Sequence, residues 1–526
     1  MSGIPRVTQA ARIARISRIV LLAPFTQYRR FAATAASVVI GMFAIAAGWG
    51  ALHHGRPVHW HVKIASGDYA SRAARAMSLL ERRFYNGTGL WHMCFQLSCN
   101  TKNRDWGSDS LTYVLYFRWM LTKDQRVPPI MRTLASTAHA WVPADKGSSD
   151  TVMWDAIAEA REYQVTGSPV ALAKSAQAFR WVDSVMAHGF ATGACPNIDY
   201  QWPYGAGTGL KTLETATNYI KAALLLHEIT GSAAYLAKAE SEYQQVRRHF
   251  LIGSAPLYTV YVFDDGSTCR PLPGRYFASV NGNMIWAGSA LAADTGNRAY
   301  LTQAVATAQA VRAHLADGNG VYADLQADND VSEPLIEAMY RLASRDHQRF
   351  AAGWLLTSAS AAGADQTAAG EFGRFFDGPP PTGPATAWQV NGGAALMQAA
   401  AALDPRGSPA DPGFWTRARF VADTRGLARS ELRITVTGRA IAIIGSIGAI
   451  CCESGHARVF VDGVETFDRT GIWQNMTSPS VRQPGQVLFA WRWPTSGRHT
   501  ITIKPGIPDP EEGGSFFQMD GYLLVR

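Results

Sequence analysis

From Asp68 onward the apolar positions follow a helical rhythm. Ala73, Met77, Leu80 and Phe84 fall on one face of a helix starting at Asp68. Leu111, Val114, Leu115 and Trp119 do the same after Trp106-Gly107-Ser108-Asp109-Ser110. Helices are predicted again over 132–141, 148–166, 171–188 and 210–229, and the alternation runs past Leu403. In the second of these, Val152, Ala156, Ala160 and Tyr163 make one expected buried stripe. Strand patterning is nearly absent from 68–403. A Pro-, Gly- and Asp-rich stretch, 404–413, then reads as a linker. Beyond it the period changes to two, at Leu432, Ile434 and Val436, at Val459 and Val461, and at Ile501 and Ile503. This predicts a β-sandwich over 414–526. Trp473, Trp491 and Trp493 in it read either as sheet packing or as a stacking surface.

The helix ends repeat. Tyr163-Gln164-Val165-Thr166-Gly167-Ser168 returns as His227-Glu228-Ile229-Thr230-Gly231-Ser232 and as Ala292-Ala293-Asp294-Thr295-Gly296-Asn297. The glycines lie 64 and 65 residues apart, and glycine is the preferred residue just past a helix. Each unit reads as one helical hairpin, and 68–403 holds about six. Six hairpins close into an (α/α)6 toroid or wind as an open superhelix.

Composition adds little, with 17% of residues charged and 47% hydrophobic as in an ordinary folded chain. Charge adds more. The formal net charge is +8, and eight positive residues, Arg6 to Lys63, precede the first acidic residue, Asp68. The excess belongs to the N-terminus, so no nucleic-acid groove is expected. Residues 31–52 are 22 positions without a charge, enough to cross a bilayer. The preceding arginines put 1–30 in the cytoplasm and the rest on the exported side of the cytoplasmic membrane. An uncleaved anchor is expected, with a cleaved signal as the rival. Six cysteines then become disulfide candidates; Cys94 and Cys99 are near in sequence, and Cys195 and Cys269 form another possible pair. No zinc-type spacing occurs, so no metal site and no cofactor are expected.

The stretch Ser148-Ser149-Asp150 opens a helix with good capping residues, which predicts a stabilised carboxylate with a lowered pKa at Asp150. The loops before the presumed inner helices are rich in Trp, Tyr, Asp and Gly: around Trp106 to Asp109, Ser148 to Asp150, Asp199 to Tyr204 and Tyr276 to Asn283. Rings that stack on sugar faces and carboxylates that bond hydroxyls fit a carbohydrate cleft.

On these residues the chain resembles glycoside hydrolase family 76, the α-1,6-mannanases, over roughly 68–403. The likeness rests on Asn86-Gly87-Thr88-Gly89-Leu90-Trp91, on Trp154 to Tyr163 with Thr166-Gly167, on Lys211 with 224–231, on 262–266 with Cys269, and on Asn281-Gly282 with 294–301. The C-terminal part resembles a β-sandwich appended to carbohydrate-active enzymes, from Val459 to Gly463 and Gly497 to Ile501. The resemblance implies an exported glycoside hydrolase acting on an α-linked polysaccharide. The family's signature of two adjacent aspartates falls on Asp150 and Thr151, which keeps the nucleophile position and puts a threonine at the acid/base position, or, shifted by one residue, on Ser149 and Asp150; either way one of the two carboxylates is missing. Hydrolysis ordinarily uses two carboxyl groups. Asp109 and Glu214 are the candidate replacements, with Asp199, Asp264 and Glu333 also available. Trp106, Trp154, Asp199, Trp202, Tyr204, Asp264 and Asn281 are the candidate substrate contacts. Two other readings stay open: a glycan-binding protein that lost its chemistry, and a polysaccharide lyase using Tyr204 or Tyr276 as base.

Overall fold

The computed structural model describes residues 67–85, 106–137, 149–189, 194–195, 210–252, 255–272, 276–322, 331–380, 385, 387–427, 431–447, 457–466, 483–505 and 517–526. Twelve α-helices of the helical region lie among them. They are α1 (Asp68–Leu79, continued by a π turn Leu80–Phe84), α2 (Trp106–Thr122), α3 (Val127–Thr137), α4 (Ser149–Thr166), α5 (Pro169–Gly189), α6 (Leu213–Thr230), α7 (Ala233–Phe250), α8 (Ala278–Thr295), α9 (Arg298–His314), α10 (Glu333–Ser344), α11 (Arg349–Ala364) and α12 (Ala387–Leu403). The even-numbered helices pack in the order α2, α4, α6, α8, α10, α12, and α12 packs back on α2. The odd-numbered helices cover them outside, and α1 lies on α12 so that the two ends of the region meet. The closed toroid is therefore the solution adopted.

Inner and outer helices differ as their positions demand. In α4 every residue from Val152 to Glu162 is buried, and α6 is buried from Thr215 to Leu226. The single stripe expected for α4 is thus a fully wrapped helix, because neighbours cover it on all sides. The turns from inner to outer helix are short. Gly167, Gly231 and Gly296 hold φ of 70°, 69° and 72°, the left-handed conformation their repeat predicts. Lys123 takes the same role after α2 with φ 53°, its N–H bonding Trp119 O at 2.8 Å.

A three-stranded antiparallel sheet leads into α6. Its central strand β4 (Tyr261–Asp264) lies between β1 (Leu210–Thr212) and β5 (Cys269–Leu272). A two-stranded hairpin, β2 (Leu251–Ile252) and β3 (Leu257–Tyr258), follows α7. The C-terminal strands are β6 (Arg419–Ala422), β7 (Gly426–Leu427), β8 (Leu432–Ile447), β9 (Ala457–Val461), β10 (Val464–Glu465), β11 (Gln483–Pro505) and β12 (Phe517–Val525).

The expected two-sheet sandwich takes a different form among the described residues. One sheet runs β10-β9-β11-β8-β12-β6, with β7 beside β12. The long partners β8 and β11 pair antiparallel, with a break in register between Arg492 and Gly497. Side chains before and after this break, such as Ile443 and Phe489 with Ile434 and Ile501, share one core. Continuous strands thus form both halves that two separate sheets were expected to supply. Trp493 is buried there, parallel to His499 at 3.9 Å, while Trp473 lies outside the described residues. The opposite face, with Ala440, Ala442, Ile444, Val487 and Ala490, joins the core of the helical region. Arg492 secures the seam. It donates to Asp377 O at 2.7 Å, lies 3.3 Å from Asp365 and stands 4.0 Å over the Phe414 ring.

The stretch read as a linker is tied down. Gly67 donates to Pro405 O at 2.9 Å, Ala410 to Ser360 Oγ at 2.8 Å and Gly413 to Ala364 O at 2.8 Å. The anchor expected over 31–52 lies outside the described residues. Among those described, no helix is long and apolar enough to cross a membrane.

Candidate active site

The inner helices run parallel, since each is separated from the next by an outer helix, and their first turns share one end of the toroid. Four of those turns carry a carboxylate: Asp109 on α2, Asp150 on α4, Glu214 on α6 and Glu333 on α10. The first turns of α4 and α6 touch, with Ser149 Oγ 3.4 Å from Thr215 Oγ1. Thr212 caps α6 by accepting from the Glu214 N–H at 3.3 Å.

Asp150 stands in the first turn of α4, inside the helix rather than at its cap. Its Oδ1 accepts from Asn218 Nδ2 at 2.9 Å. The side chain is half-buried, yet its carboxyl is desolvated, and this burial pushes its pKa up to about 7; the Asn218 bond offsets only part of the rise. The lowered pKa expected from the helix end is therefore reversed. Removing water from a carboxylate outweighs what one helix terminus returns.

Glu214 lies one turn before Asn218 on the same face of α6, the face that meets Asp150. Asp109 is buried one turn before Tyr113, whose hydroxyl is pushed well up, first by burial and then by Glu337, with Glu333 and Asp109 adding to the rise and Arg161 opposing it. Asp109, Glu333 and Glu337 thus all act on one hydroxyl.

Below this rim the lumen is polar. Asn283 Nδ2 donates to Asn218 Oδ1 at 2.8 Å, and Lys221 Nζ reaches Asn283 Oδ1 at 3.3 Å and Glu337 at 2.7 Å. Arg161 bonds the other oxygen of Glu337. Burial pushes Glu337 up, but two cations overcome it and hold the carboxyl below its ordinary value. Lys221 shares that one carboxylate with Arg161, and burial draws it down to about 8 despite the attraction of Glu337. The two shifts pull opposite ways on pairing, because Glu337 has two cations and Lys221 half an anion. Both remain charged at pH 7.

This lumen was missed in the sequence, although a signal was there. Glu214, Asn218 and Lys221 recur at helical spacing in an otherwise apolar helix, as do Glu333, Glu337 and Arg341. A polar stripe on a helix buried all round has to face an internal polar space.

Three expected substrate contacts are structural instead. Trp154 is buried edge-on to Tyr113 with ring centres 5.6 Å apart, because α4 is wrapped on all sides. Asn281 is buried and bonds Tyr258 N, Tyr258 O and Phe277 O at 3.0–3.1 Å, which ties β3 to the start of α8. Asp264 pairs with buried Lys211 at 2.9 Å and accepts from the N–H groups of Ala194, Cys195 and Gly266. Burial pushes that carboxyl up, and these donors outweigh it and hold it at about 2. Close by, Cys195 and Cys269 form a disulfide. His249 completes a group whose ligand atoms lie within 4.8 Å of one another, but both sulfurs are committed to the S–S bond. Trp106 begins α2. Asp199, Trp202 and Tyr204 lie outside the described residues, as do Cys94, Cys99, Cys451 and Cys452.

Known structures share this closed ring. A variant of the α-1,6-mannanase GH76A of Salegentibacter sp. HEL1_6, in complex with α-1,6-mannotetrose, superposes with a TM-score of 0.55 at 18% identity, over 64% of this chain and 100% of that one. The fold is that of the family 76 mannanases. A family 76 α-mannanase of Bacteroides thetaiotaomicron gives 0.53 at 18% identity, over 64% and 97%. Dfg5 of Chaetomium thermophilum, in complex with glucosamine, gives 0.51 at 13%, over 67% and 94%. No family model and no curated protein matches the sequence. The likeness is thus one of fold, at 13–18% sequence identity.

Proposed function

We propose that this protein is a glycoside hydrolase that cleaves an α-linked, mannan-like polysaccharide, with Asp150 handling the proton. What carries this reading is Asp150 itself. Its carboxyl, raised to about 7, stands at the rim of a toroid shared with α-1,6-mannanases, where the family resemblance puts the first of two aspartates. The inactive Salegentibacter variant carries replacements at two adjacent aspartates. A carboxyl that titrates near neutral pH suits general acid–base work better than a permanently ionised nucleophile. We therefore assign Asp150 as the acid that protonates the leaving glycosidic oxygen. Glu214 is the second carboxylate, attacking the anomeric carbon or activating water, and Asp109 is the alternative for that role. In support of Glu214, its face of α6 meets Asp150 through Asn218.

Export and a membrane anchor over 31–52 belong to the same reading. The uncharged stretch behind a basic segment supports them, and so does the Cys195–Cys269 disulfide, which suits an oxidising compartment.

The test is reducing-end release from a panel of α-mannans by the parent and by Asp150→Asn, Glu214→Gln and Asp109→Asn. Loss by orders of magnitude in Asp150→Asn and in one partner variant is expected. Thr151, which stands at the second aspartate's place, favours a non-catalytic glycan-binding protein as the other reading. No cleavage by the parent, with oligomannosides raising its melting temperature, selects that one.

A further inference from the structure

Lys221 lies on α6, one turn below Asn218, and is fully buried between the rings of Tyr113 and Trp286 at 4.4 and 5.2 Å. An ammonium group only donates. The oxygen of Asn283, 3.3 Å away, must therefore face it. That turns the Asn283 amide nitrogen toward Asn218, and it donates to the Asn218 oxygen at 2.8 Å. The Asn218 nitrogen is then left for Asp150 and donates to Oδ1 at 2.9 Å. Every bond in the row points from the cation to the carboxyl. Asn218 and Asn283 are buried, and reversing either amide would set two donors or two acceptors face to face. Oδ1 of Asp150 is thereby an acceptor, and Oδ2 is the oxygen left to bear a proton.

We propose that Lys221 is a positioning residue that, through Asn283 and Asn218, decides which oxygen of Asp150 carries its proton. Its use in catalysis rests on the reading of Asp150 as the acid. Glu337, bonded also by Arg161, holds the ammonium at the foot of the row. Other charged or titratable groups lie on α4 and on the helices around it. Its own helix carries Asp155. Packed against α4 are α2, with Asp109 and Tyr113; α3, with Arg132; α6, with Glu214; and α5, whose Lys174 pairs with Glu159 at 3.6 Å. Glu333 and Glu337 come from α10. Variants of the row itself test its effect.

The test uses the full-length protein with 13C-carboxyl-labelled aspartate, titrated by NMR, with the Asp150 signal assigned by its loss in Asp150→Asn. Lys221→Met removes the end that sets the direction and should raise the Asp150 midpoint by about one pH unit. Asn283→Leu cuts the row and should act similarly. Asn283→Asp reverses it. Two acceptor oxygens then face both Lys221 and Asn218, so the Asn218 amide turns and its oxygen meets Asp150, which must keep a proton to donate. Its midpoint should rise by about two pH units or more, clearly beyond Asn283→Leu. Equal midpoints in Asn283→Asp and Asn283→Leu overturn the proposal, as does an unshifted midpoint in folded Lys221→Met. If Lys221→Met does not fold, the two Asn283 variants decide. Midpoints that move as expected in a parent that cleaves no glycan leave the row standing and remove the hydrolase reading instead.

Discussion

At Asp150, the proposed role as acid and the stability of the fold oppose each other. Burial holds the carboxyl near 7, well above an exposed aspartate at about 3.9. The folded protein therefore binds this proton more tightly than the unfolded chain does. The associated stability is fully present below about pH 4 and is lost as the pH rises through 7. Asp150→Asn keeps the shape and an oxygen for Asn218 but has nothing to ionise. At pH 8 the variant should be the more stable protein, by up to about 4 kcal/mol, and at pH 4 the two should match. Denaturant unfolding at both pH values checks this, and a parent equal to the variant at pH 8 would show that Asp150 is not desolvated. Glycan cleavage should fall by orders of magnitude in the same variant, whereas Thr151→Ala should keep most of it, since a threonine hydroxyl transfers no proton near neutral pH.

At the scale of the helix, two glycines act for different reasons. A Cβ on Gly231 meets nothing within 4 Å, but its φ of 69° penalises any other residue. Gly231→Ala should cost about 1–2 kcal/mol through backbone strain alone, read as a lower melting temperature with unchanged kcat. Gly282 is a packing glycine. A Cβ there would stand 2.4 Å from Leu335 N, so α8 and α10 approach backbone to backbone. Gly282→Ala should part the two helices at a cost of about 1–3 kcal/mol. Because the next residue is Asn283 and α10 carries Glu337, it should also depress kcat. A Gly282→Ala protein with parental kcat would argue that the lumen plays no part in the reaction.

At the scale of the whole molecule, the sheet and the toroid share a core. Ala442, Ile444 and Val487 of the sheet cluster with helical-region residues, and Arg492 is buried against Asp365 and Asp377. Ending the chain at 403 would bare that face. Such a fragment should aggregate or melt well below the full chain, as measured by light scattering and calorimetry. A second molecule-wide restraint is the Cys195–Cys269 bond across 74 residues. Its reduction should lower stability by about 2–5 kcal/mol. It should loosen the segment leading into α6 as well, which hydrogen exchange at 210–214 would report.

Local patterns were legible in the sequence. The inner-to-outer turns at Gly167, Gly231 and Gly296, the hairpin repeat and the change of period after 413 depend on neighbours a few residues apart, and the structure bears them out. The place of Asp150 at a helix start points to special chemistry, yet its pKa shifts opposite to the expected direction, because desolvation comes from packing that no local pattern displays. Asn281 and Asp264 lie in motif-like stretches, but their partners, Tyr258, Lys211 and the backbone at 194–195, fix them as scaffold. Lys221 and Glu337, 116 residues apart, become a site only because the ring closes. The chain by itself determined the helical run of 68–403, its glycine turns and the strands after 413, since such local conformation is decided within a turn or two, whereas the short strands β1–β5 and the bounds of α3 departed from the pattern. Tertiary structure alone decided which polar groups lose their water and whom they meet, since burial and charge pairing depend on distance in space.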